Sequence, residues 1–81
     1  MNEIEAFCKK RNDILIRGDL DEVEKFLYEN SKVKPASKEA TEIMLHKCRT
    51  AVKALPMEMR SASKKWLLDR GMQSFDDGDV S

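Results

Sequence analysis

Between Ser37 and Leu55 the apolar residues Ala40, Ile43, Met44, Cys48, Ala51, Val52 and Leu55 recur three and four positions apart. This is the spacing of one face of an α-helix. Glu39, Glu42, His46, Arg49, Thr50 and Lys53 fill the other side. A stripe this regular has to be buried against something, and weaker amphipathic segments flank it. Ile4, Phe7, Cys8, Ile14 and Leu15 share a face over residues 2–17, interrupted by Arg11. Leu20, Val23, Phe26 and Leu27 do so over 20–29, and Met59, Ala62, Trp66 and Leu67 over 56–70.

Capping and breaking residues divide these segments. Glu3 and Glu5 sit in the first turn of the first helix, where the positive end of the helix dipole favours carboxylates. Gly18 stops that helix, and Asp19 caps the next, with Glu22 placed three residues on to close a capping box. A link of only Gly18 and Asp19 predicts a tight antiparallel pair. Ser31 to Ala36 is a loop, and Ser37 caps the central helix. Pro56 ends the central helix at Leu55 and opens a fourth helix that Gly71 terminates. The alternative is one long helix kinked at Pro56.

The expectation is an all-α fold, a small bundle of four helices at about 2–17, 20–29, 38–55 and 56–70. Residues 1–71 form the helical domain. Residues 72–81 have no periodicity and are expected to form a flexible acidic tail, with Phe75 just ahead of Asp76, Asp77 and Asp79. Trp66 is expected to be largely buried near Met59, Val52 or Ile43. Leu45, Leu68 and Tyr28 fall off the stripes and are expected to leave an exposed apolar patch.

Composition sharpens this picture. Eighty-one residues allow one domain and a marginal core. An apolar fraction of 41% with 37% charged residues fits thin helical packing with long solvated faces, not a sandwich or barrel. No apolar run is long enough to cross a membrane. Asn2, Glu3 and Glu5 are wrong for a secretory signal, so a cytoplasmic location is expected, with Cys8 and Cys48 as reduced thiols. The formal net charge is zero but polarised: −3 over residues 1–30, +6 over 31–70 and −3 over 71–81.

Candidate chemistry is sparse. His46 and Cys48 stand two positions apart, so their side chains diverge on a helix and make no nucleophile–base pair. Two Cys and one His match no zinc spacing, and Asp76 to Asp79 lacks the closing Glu of a calcium loop. There is no Gly-rich phosphate loop. No catalytic residue, metal site or cofactor is therefore expected, and the chain is read as non-enzymatic. Lys47, Arg49, Lys53, Arg60, Lys64 and Lys65 lie on the outer faces of the third and fourth helices, where a phosphate backbone would be attracted. Met44, Met57, Met59 and Met72 supply adaptable apolar surface. Phe75 with Asp76, Asp77 and Asp79 has the make-up of a short docking segment, an aromatic anchor beside steering carboxylates.

The stretch Gly18-Asp19-Leu20-Asp21-Glu22-Val23-Glu24-Lys25-Phe26-Leu27 resembles the second helix of an ankyrin repeat. The Thr-Pro-Leu-His turn of such a repeat is missing and no second copy follows, and a lone repeat cannot bury its face. The stretch is read as a generic helix–turn–helix hairpin. The functional expectation is a small regulatory module, adaptor or inhibitor in type, that works through a protein partner, with homodimerisation open to it. The alternative is a small nucleic-acid-binding regulator that uses the basic face.

Overall fold

The computed structural model describes residues 2–74. Over these residues the chain is all-α: α1 is Glu3–Arg17, α2 Leu20–Ser31, α3 Lys38–Ala51 and α4 Met57–Asp69. The helix boundaries carry the hydrogen bonds that make them, at Asn2, which the sequence reading did not mark, as at the marked Gly18, Asp19 and Ser37. Asn2 Oδ1 accepts from the Glu5 amide at 2.8 Å, and Ser37 Oγ accepts from the Ala40 amide at 3.1 Å. Gly18 takes the left-handed conformation (φ +68°) and returns its N–H to the Ile14 carbonyl at 3.0 Å. Asp19 Oδ1 accepts from the Asp21 amide at 2.9 Å. Glu22 does not close the expected box. Its carboxylate takes both Nε and Nη2 of Arg17, at 2.9 and 2.8 Å, a forked pair that ties the end of α1 to the start of α2.

Helices three and four are separate, and α3 is shorter than the periodicity predicts, ending at Ala51 instead of Leu55. Pro56 has no N–H for the Val52 carbonyl and disfavours helical backbone at Leu55. Val52 is accordingly extended (φ −95°, ψ 99°), and its carbonyl accepts from the Leu55 amide at 3.1 Å in a tight turn.

The central helix packs against all three others, whereas α4 packs on α3 alone among the helices. Coverage from two flanks rotates the buried arc of α3 away from the predicted stripe. Thr41, Leu45 and Thr50 are the most buried residues of this helix, while Ala51 is exposed. Leu45, expected on an exposed patch, is part of the core with Ile14, Leu15, Val23, Leu27 and Leu55. The two threonines can be buried because their hydroxyls are satisfied locally: Thr41 Oγ1 donates to the Ser37 carbonyl and Thr50 Oγ1 to the Lys47 carbonyl. On α4 the inner residues are Ser63 and Leu67, not Ala62, which is exposed. Only the C-terminal half of the predicted α1 face is covered. Ile14 and Leu15 are buried, whereas Ile4 is 74% and Phe7 41% exposed.

The expected tail joins the fold for its first three residues. The Met72 amide donates to the Leu67 carbonyl, Met72 is half-buried and Ser74 is buried. The candidate docking residues Phe75, Asp76, Asp77 and Asp79 lie outside the described residues.

Candidate interaction surfaces

The half-covered face of α1 borders a groove of about 190 Å³ where α1, α2 and α3 meet. Ile14, Leu15, Val23 and Leu27 form its floor, and Phe26, Cys48, Ala51 and Val52 its walls. Arg11 is the one charged residue among those that line it. Its Nε and Nη2 both donate to Oδ1 of neighbouring Asn12, at 3.1 and 3.0 Å, and among the described residues no carboxylate pairs with it. The apolar surface continues beyond the groove, because Phe26 stacks on Phe7 with ring centroids 5.7 Å apart. Ile4, one turn before Phe7 and Cys8, extends it toward the start of α1. Cys48 is a half-buried free thiol whose pKa is pushed up by burial, with the Arg11 cation opposing the shift. Cys8 is likewise free and half-buried. Of the expected exposed patch, Tyr28 and Leu68 are indeed exposed. They lie apart from this groove, on the outer faces of α2 and α4.

The structure divides the six candidate basic residues into two kinds. Two arginines turn inward to the backbone. Arg49 Nε donates to the Leu15 carbonyl at 2.8 Å and Nη2 reaches the Ile16 carbonyl at 3.5 Å, so this side chain caps the C-terminal end of α1. Partial burial lowers its pKa from the usual arginine range. Arg60 Nε donates to the Leu55 carbonyl at 3.2 Å, bracing the turn between α3 and α4. The four lysines are arranged otherwise. Lys65 pairs with Asp69 at 3.4 Å across one helical turn, exposed to solvent. Lys47 and Lys64 are half-buried and Lys53 is exposed, along the α3–α4 side of the molecule.

His46 is not the exposed side chain that its place on the polar side of α3 predicts. It faces α4, where Nδ1 lies 2.8 Å from Oγ of Ser63, and its ring stacks on Trp66 at 4.1 Å. The Arg70 guanidinium lies 3.7 Å over the same indole and donates from Nη1 to the Trp66 carbonyl. Trp66 is therefore half-buried, not largely buried, and sits between α3 and α4 in a stack with His46 and Arg70. A His–Ser pair has two parts of a nucleophilic site, but Ser63 is 1% exposed, and burial with the Arg49 and Arg70 cations, opposed by Glu42, lowers the basicity of the ring. What the cluster accomplishes is to hold α4 on α3. Sequence spacing gave no signal for it, since the partners lie on different helices.

No group of three or more metal-ligating side chains occurs among the described residues, and no described helix is long and apolar enough to cross a membrane. No protein-family model matches this chain, nor does any curated protein or solved structure.

Proposed function

We propose that this chain is a small non-enzymatic protein-interaction module of the adaptor or regulator type, acting in the cytoplasm. The groove between α1, α2 and α3 would be its docking site. The observation that carries this reading is the continuity of that groove with Phe7 and Ile4, which a four-helix fold of this size leaves uncovered. The occupant that fits is an amphipathic helical segment of another protein. Its apolar side chains would fill the groove and a carboxylate beside them would meet Arg11, which no acid of the described chain engages.

The experiment is capture from extracts of the native cells on three immobilised chains: wild type, Ile4→Asp/Phe7→Asp, and Lys53→Glu/Lys65→Glu. All four positions are exposed enough to change without unfolding the domain. A polypeptide held by the wild type and the lysine variant but lost from the α1 variant supports the reading. An identical set on all three overturns it. Sedimentation of the wild type and the α1 variant separates a homodimer through this face from a foreign partner.

A second reading, nucleic-acid binding, rests on the lysines of the α3–α4 side. It is the weaker of the two because Arg49 and Arg60 are committed to backbone carbonyls. It predicts affinity for duplex DNA that falls steeply with salt.

A further inference from the structure

A tyrosine and three lysines meet where α2 ends. Asp21, Glu24, Lys25 and Tyr28 recur three and four positions apart, so they share one face of that helix. Lys32 is the C-cap. It takes the left-handed conformation (φ +56°) and returns its N–H to the Tyr28 carbonyl at 3.0 Å. Among the described residues no other non-glycine residue has a positive φ. The chain turns at once, and Lys34, two residues on, lines an open hollow of about 310 Å³ together with the four α2 side chains.

Tyr28 is 53% exposed, and Lys32 Nζ lies 5.7 Å from the centroid of its ring. Lys25, Lys32 and Lys34 are exposed as well. An exposed aromatic ring offers a surface on which another planar ring stacks, and cations grouped beside it hold phosphates. The acids of the hollow are placed apart from this. Asp21 stands two turns and Glu24 one turn before Tyr28, whereas Lys32 and Lys34 follow it. Carboxylates repel a phosphate and accept from an N–H. Acceptors therefore precede the ring and cations follow it, with Lys25 between.

We propose that this hollow binds a single-stranded stretch of nucleic acid, one base stacked on Tyr28 and the neighbouring phosphates held by Lys32 and Lys34. The carboxylates favour a base with an exocyclic amine such as cytosine, whose amino group donates where thymine presents a carbonyl oxygen. A duplex is a poor ligand, because its bases are already stacked and do not reach the ring. The hollow shares no lining residue with the groove between α1, α2 and α3. It is also distinct from the lysines of the α3–α4 side. Its failure would leave the interaction module untouched.

The test is fluorescence polarisation with labelled oligo(dC) and oligo(dT) of about ten nucleotides, within the site sizes of about 4–16 typical of single-strand binders. The chains are the wild type, Tyr28→Leu, Tyr28→Phe, Lys32→Gln/Lys34→Gln, and a charge-matched control, Lys53→Gln/Lys65→Gln. Melts by circular dichroism verify that each is folded. At low salt the wild type should bind oligo(dC) several-fold more tightly than oligo(dT) and more tightly than a duplex of the same length. Tyr28→Leu should weaken oligo(dC) by roughly five-fold or more, the low end of one base–aromatic stack, and Tyr28→Phe should restore it. Lys32→Gln/Lys34→Gln should lower the slope of log affinity against log salt by roughly one, and the control should keep that slope. No binding at low salt overturns the proposal, as does oligo(dT) binding as tightly as oligo(dC). So does full affinity in Tyr28→Leu, which would leave only non-specific charge attraction. An equal loss in the control would move the strand to the α3–α4 side and overturn it too.

Discussion

Nδ1 of His46 and Oγ of Ser63 lie 2.8 Å apart although seventeen residues separate them in the chain. It is a polar contact between α3 and α4, and it belongs to the chain's single histidine, the side-chain type whose ordinary pKa lies near neutral pH. Burial holds the His46 pKa below its ordinary value. Arg49 and Arg70 push it the same way, and Glu42 opposes them.

The sign of the pH dependence follows. Above about 6.5, the ordinary value, His46 is neutral in both folded and unfolded chains and its contribution is fully present. As the pH falls below 6.5 the unfolded chain takes up a proton first, so stability declines until the folded chain is protonated as well. The midpoint of thermal unfolding should fall between pH 7 and pH 5, and His46→Gln should remove much of that fall. Glu22 does not confuse this window, because Arg17 holds its carboxyl below the usual carboxylate range. An unchanged pH slope in the His46 variant would contradict the assignment.

Gly18 and Arg49 form a second pair that depends on shape. A Cβ at position 18 would stand 2.8 Å from Arg49 Nη2, on a backbone with φ +68°. Gly18→Ala should cost about 1–2 kcal/mol from the left-handed conformation alone, plus the displacement of Arg49. Arg49→Met should cost about 1 kcal/mol, since the lost bond to the Leu15 carbonyl is partly open to solvent. Combined, the two changes should cost less than their sum, because removing the guanidinium makes room for the methyl. Urea midpoints of the two single variants and the double variant measure the coupling. Strict additivity would show that the close approach has no energetic weight.

The basic residues separate by the same logic. Arg49→Glu or Arg60→Glu places a carboxylate against a backbone carbonyl and should lower the unfolding midpoint measurably. Lys53→Glu and Lys65→Glu should leave helicity and midpoint nearly unchanged, as surface substitutions do. Circular dichroism melts of the four single variants decide it. Equal losses would mean that the arginine–carbonyl bonds do not matter to the fold.

The sequence was most informative where a single residue type has a single local use. Gly18, Asp19, Ser37 and Pro56 marked helix ends, and each does so through a bond or a missing bond within four residues. The inner face of α2 was legible for the same reason: Val23 and Leu27 are buried and Leu20 and Phe26 half-buried, as the period required. The face of α3 was not legible, because a helix covered on two flanks buries a wide arc. Locally bonded threonines can occupy that arc as well as aliphatic residues can. His46 was misread for a related cause: polarity placed it outside, but a partner hydroxyl on α4 and an indole to stack on brought it in. The groove escaped notice because its residues come from three helices, and only packing shows that α1 leaves Ile4 and Phe7 uncovered.

Trp66 offers the clearest energetic reversal of a sequence-based expectation. A lone tryptophan on an apolar helical face predicts a core residue, and truncating one in a core costs about 3–5 kcal/mol. Here the indole is half-buried between polar partners, His46 at 4.1 Å and Arg70 at 3.7 Å, while Leu67 beside it is 0% exposed. Trp66→Ala should therefore cost about 2 kcal/mol, from lost stacking and partial burial. Leu67→Ala should cost at least as much, within the range of about 2–5 kcal/mol for a buried leucine, because no solvent route relieves its cavity. Fluorescence gives an independent check. The emission should be that of a partly exposed indole, and its intensity should change as His46 titrates below pH 6.5, a change that His46→Gln abolishes. Urea midpoints that rank Trp66→Ala far above Leu67→Ala, together with emission insensitive to pH, would return the tryptophan to the core and dissolve the stack.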